Sequence, residues 1–321
     1  MLVWAVSRLN YRFMKNKPTN QHYVPQCYLR AFATPDTIND KEPLIWIFPK
    51  NEHRGRLDKI KNVLFAKDLY TIDVGGTKDY SIEKSLGNIE AEYTTVYRER
   101  IAKRLPLNKK EHAVLCIFIG ALMQRTLRHK DSVENFLSEV IEKMEKLDEA
   151  HNTKSKIVED YKKLKKDSHK LGIFKILGDI ADVLVRMNIA FVCTDNISSR
   201  FITCDDPCVM FNPDLQWQRF YGYGLAQKSI ELSVTLSPTT MIVFTWQNFR
   251  GYMHTINSRV ENHNRMVRHH AYKYFLLNKS NTKFIWFSKY PLNLTFMFRV
   301  LKHKLGELIF RIKYLWRMRN Y

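Results

Sequence analysis

Near residue 190 the chain changes its periodicity, and that change constrains the fold more than any other feature. Between residues 81 and 188 the apolar residues recur every three to four positions, as on the buried face of a helix. After it, residues 190–193, 200–203, 230–236 and 241–246 are β-branched and aromatic runs broken by turn residues. Ser237-Pro238 marks a turn between the last two. Helices and strands are therefore segregated along the chain instead of alternating. This predicts an α+β fold: a mostly helical N-terminal two-thirds packed with an antiparallel sheet from the 190–250 region and with N-terminal strands.

Within the helical part, Ile82, Leu86, Ile89, Tyr93, Val96 and Ile101 predict a helix opening at Ser81, in a region that Pro106 ends. Asn108 with Glu111 three residues on resembles a capping box and opens a second helix, with Val114, Ile117, Phe118 and Ala121 as its buried stripe. Arg125 continues that stripe, so an arginine aimed along the core face needs a partner; Glu83, Glu90, Asp205 and Asp206 are the candidate acids. Residues 131–170 read as a projecting lysine-rich hairpin, with Phe136, Leu137, Val140 and Met144 as its apolar side; residues 171–188 read as a further helix. Nearer the N-terminus, Pro25 suits the first turn of a short helix over residues 25–33, and residues 44–48 and 68–72 read as strands, the second closed by Gly75-Gly76. A helix over 257–275 and a strand over 284–287 complete one domain, expected to span residues 20–290.

Charge narrows the partners. Lysine and arginine outnumber the acids 52 to 32, a formal excess of +20. Such an excess favours an anionic partner, either nucleic acid or a membrane surface. The basic residues gather before Asp36, between Lys154 and Lys170, and from Arg299 to Arg319. Residues 1–19 read as a loosely ordered extension or the product of an upstream start. Residues 291–321 read as a basic amphipathic helix, its Leu301, Leu305, Leu308, Ile309, Ile312, Leu315 and Trp316 within an arc of about 120°. That helix suits docking on protein better than a membrane surface. Five cysteines scattered through apolar stretches argue for buried thiols in a reducing, cytoplasmic setting, and no apolar run reaches the roughly 18 residues of a membrane span.

Several segments, in order, resemble the domain-of-unknown-function family 4238. They are His22-Tyr23-Val24-Pro25-Gln26 with Tyr28, Leu29, Arg30 and Phe32; Gln124-Arg125-Thr126; residues 201–207 around Cys204-Asp205-Asp206-Pro207; and Leu236-Ser237-Pro238. The helix beginning at Asn257 resembles the family's closing helix. The family usually carries serine where this chain has Cys204. The resemblance implies no established activity; it suggests a bacterial or phage-related protein and a link to defence.

The residues themselves suggest a phosphodiester-directed site. His22 transfers protons near neutral pH, Arg125 offers a planar fork for phosphate, and Asp205 and Asp206 can hold a divalent cation such as Mg²⁺ or Mn²⁺, or orient a histidine. Gln26, Arg30, Gln124 and Asn257 are the expected substrate contacts. This predicts a nuclease-like hydrolase with His22, Arg125, Asp205 and Asp206 in catalysis. The alternative is a nucleic-acid-binding or protein-interaction module in which the same residues are structural, Arg125 paired to an acid and His22 and Gln26 satisfying backbone groups. His53, His112, His254, His263, His269 and His270 carry no supporting pattern and are read as surface. Trp217, Arg219, Phe220, Tyr221 and Tyr223 suit a partly packed loop or a stacking platform for unpaired bases. No glycine-rich phosphate loop or nucleophile elbow is present.

Overall fold

The structure is a computed structural model that describes residues 19–213 and 224–288. The N-terminal extension up to residue 18, the aromatic run with Trp217 and Tyr221, and the basic C-terminal segment from residue 291 lie outside the described residues.

The chain opens with β1 (Asn20–His22) and, after Pro25, the one-turn helix α1 (Gln26–Leu29), which tightens into a 3₁₀ turn at Arg30–Phe32. Next come β2 (Leu44–Pro49), β3 (Arg56–Lys59), β4 (Phe65–Lys67), β5 (Ile72–Val74) and β6 (Thr77–Asp79). β1 pairs with β4, and β5 forms a hairpin with β6 through Gly75 and Gly76, whose φ of 60° and 83° only glycine adopts cheaply. The strand expected over 68–72 does not form. Asp68 takes φ 51°, and residues 68–71 turn between β4 and β5.

Six α-helices are present among the described residues. α2 (Ser81–Val96) runs on through a π-turn at Tyr97–Ile101, and α3 (Lys109–Gln124) begins with both halves of the Asn108–Glu111 capping box in place. Arg125 ends α3, and Thr126 caps α4 (Leu127–His151) by accepting from His129 N. α5 (Lys156–Arg186) is one helix of 31 residues, where the sequence suggested a hairpin arm followed by a separate helix. Gly172 and Gly178 do not break it, because packing against α3 and α4 outweighs about 1 kcal/mol of propensity per glycine. The α3–α5 contact is close: a Cβ on Gly120 would stand 2.9 Å from Leu177 Cδ1.

Past α5 the β-rich part forms two sheets. β7 (Asn188–Cys193), β9 (Cys208–Phe211), β10 (Glu231–Ser237), β11 (Thr240–Thr245) and β12 (Gly251–His254) lie in the order β12-β7-β11-β10-β9, antiparallel except for the parallel β12–β7 pair. β8 (Thr203–Cys204) and β13 (Tyr274–Leu277) join β2 and β3 in the order β3-β2-β13-β8. Strand alternation gives the larger sheet two characters. Phe191, Leu232, Val234, Ile242 and Phe244 enter the main core with the helices. Met241, Val192 and Val243 form a smaller cluster with Phe201 and Val260 on the other side. α6 (Asn257–His270) ends earlier than its expected limit of 275, because Ala271 turns to ψ 141° and leads into β13. The strand expected at 284–287 is a 3₁₀ turn that buries Trp286. The fold is α+β, and among the described residues no helix is long and apolar enough to cross a membrane.

Candidate functional site

Arg125 sits where α3 stops, so its side chain leaves the helix end along the core face. It is 2% exposed. Nη1 donates to Glu90 Oε1 at 2.6 Å and Nη2 to the His22 carbonyl at 2.5 Å, while the guanidinium lies 5.5 Å from the centre of the Tyr70 ring. The Tyr70 hydroxyl in turn donates to the Arg125 carbonyl at 2.9 Å. Burial opposes the arginine's charge, but Tyr70 and Glu90 outweigh it and hold the pKa above its ordinary value. Of the four candidate acids, Glu90 is the partner. The planar fork is thus spent on joining β1, α2 and the turn at 68–71, and it faces no solvent.

His22 and Gln26 stay together, with Gln26 Nε2 3.5 Å from His22 Nδ1 at the edge of this cluster. His22 is half-buried, and its pKa is lowered by burial first and by Arg125 second. The four-residue α1 that follows is too short for its positive end to account for the shift, and desolvation does so. Burial likewise raises the pKa of Glu83, with Arg125 opposing and Glu90 reinforcing it.

The second motif has its own partners. Asp205 is 2% exposed and accepts from three successive backbone groups: Tyr272 N at 2.7 Å, Lys273 N at 2.6 Å and Tyr274 N at 3.0 Å. It fixes the turn between α6 and β13. Burial outweighs these hydrogen bonds and raises its pKa. Asp206 pairs with Arg128 Nε at 2.5 Å and His270 Nε2 at 3.0 Å. Neither aspartate bonds to His22, Gln26 or Arg125, so the four residues expected in catalysis divide between two clusters. Among the described residues no three His, Cys, Asp or Glu side chains gather as a metal-holding group. Cys204 donates its thiol to the Asp206 carbonyl at 3.0 Å, a bond that the serine usual in the family would also make.

The remaining expected contacts scatter. Gln124 is buried and gives its carbonyl to His169 Nε2 at 2.9 Å, Arg30 is exposed and reaches the Lys41 carbonyl, and Asn257 is exposed on the first turn of α6. Not all the histidines read as surface are so. His263 is 8% exposed, His270 pairs with Asp206, and His269 Nε2 lies 2.9 Å from the Ser288 carbonyl.

A different group of cations converges where α6, β13, the first turn of α4 and the end of β2 meet. Arg268 donates to the Lys50 carbonyl at 2.8 Å and to Asn51 Oδ1 at 3.1 Å, with its guanidinium 4.4 Å over the Phe287 ring. Arg128 and Lys273 stand 5.2 and 5.4 Å from the centre of the Tyr272 ring. The pKa of Lys50 is lowered by burial and then by Arg128 and Arg268. His269 is lowered by burial and, further down, by Arg268, Arg265 and Lys50. Asp206 already pairs with Arg128 and Asp205 offsets part of the effect on Lys50, but Lys50 stays lowered, and a further anion placed there would relieve the remaining repulsion. In the sequence this region is inconspicuous because its cations are dispersed. The signal was available: residues 224–288 hold eight lysines and arginines against Glu231 and Glu261 alone. The α4–α5 hairpin, by contrast, is nearly neutral, with thirteen basic residues against twelve acids over 127–186.

A family model described as "Protein of unknown function (DUF4238)" matches residues 20–281. No curated protein and no solved structure matches the chain.

Proposed function

The chain belongs to the DUF4238 family, and from its own surface we propose that it is a cytoplasmic nucleic-acid-binding module whose polar motif residues hold the fold together. The observation that carries this reading is the crowding of Lys50 and Arg128 around the buried Arg268, beside the aromatic rings of Tyr272 and Phe287. Cations held by neighbouring carbonyls and rings suit the evenly spaced charge of a phosphate backbone. The excess of +20 adds a sequence-independent attraction, and residues 289–321 alone contribute eight basic residues against Glu307.

A nuclease acting in phage defence is the competing reading. The pairing of a neutral, half-buried His22 with Gln26 supports it, and the enclosure of Arg125 with Glu90 counts against it. One experiment separates them. Labelled single- and double-stranded DNA and RNA are titrated with the protein at salt concentrations from about 50 to 200 mM, and the same mixtures are examined for cleavage with Mg²⁺ or Mn²⁺. Binding that weakens steeply with salt and leaves the strands intact supports the module. Cleavage that His22→Ala abolishes establishes the nuclease, and salt-insensitive or absent binding removes both.

A further inference from the structure

The side of the five-stranded sheet turned away from the main core holds a cavity of about 210 Å³. Ala190 and Val192 of β7 and Met241 and Val243 of β11 form its floor, and Phe201 and Phe249 add two aromatic walls. The floor follows from strand alternation: Phe191, Ile242 and Phe244 face the main core, so their neighbours face the cavity. The strand from Met241 to Thr245 gives it a length of about 13 Å. Phe249 is 50% exposed, so the apolar lining continues to the surface.

Glu231 also lines this cavity. It begins β10 opposite Thr245 and is half-buried. No hydrogen bond or ion pair joins its carboxylate to another group among the described residues, and burial alone raises its pKa. Two other charged or titratable groups are present. His254 Nδ1 is engaged with Asp195 Oδ2 at 3.1 Å, and Arg259 is exposed to water and makes no ion pair with Glu231. A carboxylate losing hydration without gaining a partner is a cost that a bound cation removes. Mobile ions screen the protein's overall positive charge within about 8 Å at physiological salt, so the potential inside the cavity is set by the groups that line it, of which Glu231 is half-buried and Arg259 reaches into water.

We propose that this cavity binds a small organic cation, with an aromatic or aliphatic body on the sheet floor and a single ammonium head paired with Glu231. The site is separate from the basic face, and it stands whether or not that face binds nucleic acid.

The test compares tryptamine with tryptophol, its uncharged hydroxyl counterpart, by calorimetric titration of the full chain at about pH 7.5, where the amine is charged. Tryptamine is expected to bind at least about tenfold more tightly than tryptophol, the worth of one charge-assisted hydrogen bond. Glu231→Gln should abolish that preference while leaving tryptophol unchanged, and Val243→Trp should fill the cavity and remove both. The wild-type ratio is a test in itself should Glu231→Gln fold poorly. Equal affinity for the two compounds, a preference that survives Glu231→Gln, or no binding of either overturns the assignment.

Discussion

Glu90 and Arg125 form an ion pair across two helices from which water is largely excluded, with Nη1 2.6 Å from Oε1 and the side chains 25% and 3% exposed. The pair has a direction. Arg125 is the enclosed member, and its second amino group serves a backbone carbonyl of β1. Removing the arginine therefore strands both a carboxylate and the His22 carbonyl. Arg125→Ala should destabilise the fold by about 3–5 kcal/mol, read as a lower midpoint in urea unfolding. Glu90→Gln keeps an acceptor in place and should cost less, about 1–2 kcal/mol. If Arg125→Ala unfolds at the wild-type midpoint, the arginine is not a structural staple.

The thiol at position 204 tests whether a family position is chemical or architectural. Cys204 is fully buried, burial holds its pKa well above the ordinary value, and its Sγ meets the Asp206 carbonyl. Cys204→Ser places a hydroxyl in the same direction and should change stability by less than about 1 kcal/mol. Cys204→Val removes the donor from a buried carbonyl and should cost about 1–3 kcal/mol. Equal midpoints for the two variants would show that the hydrogen bond contributes nothing.

Two buried histidines set a pH dependence. Burial lowers the pKa of His169 to about 4 and that of His263 to about 4. In the unfolded chain each titrates near 6.5. Between these values the unfolded state binds more protons, so stability is present above about 6.5 and lost as pH falls toward 4. Each group should remove up to about 2 kcal/mol between pH 7 and pH 5. Asp205, Glu83 and Glu231 have raised pKa values and act in the opposite sense as pH falls. The informative quantity is therefore the difference between variant and wild type. His263→Leu should flatten the decline in melting temperature between pH 7 and pH 5, and an unchanged slope would contradict the burial argument.

The sequence showed the fold class because periodicity is local: the change near residue 190, the capping box at Asn108 and the turn at Ser237-Pro238 each depend on neighbours a few residues away. It misplaced the strand at 68–72 because Asp68 takes a left-handed turn that no apolar pattern announces. It divided α5 because its own glycines and lysines outweigh, locally, the packing against α3 that keeps the helix whole. The site was less legible. Asp205 reads as a free carboxylate in a strand-end motif, and the backbone groups that occupy it lie 67 to 69 residues away. The choice of Glu90 over Glu83 as the partner of Arg125 depends on which turn of α2 faces the end of α3, and both acids fit the sequence equally well.

The basic face makes the last prediction. Lys50 is half-buried and Lys273 exposed, and neither ammonium makes a hydrogen bond or ion pair among the described residues, whereas Arg268, which is 7% exposed, holds the Lys50 carbonyl. Lys50→Ala and Lys273→Ala should each weaken binding to labelled nucleic acid almost equally across sequences and lower the slope of log K against log salt by about one. Lys163→Ala, on the nearly neutral hairpin, should leave that slope unchanged. The double variant at Lys50 and Lys273 should retain the wild-type melting temperature, which separates loss of binding from loss of fold. If the hairpin variant lowers the slope and the other two do not, the interface lies on α5 instead, and the crowding around Arg268 has a structural explanation.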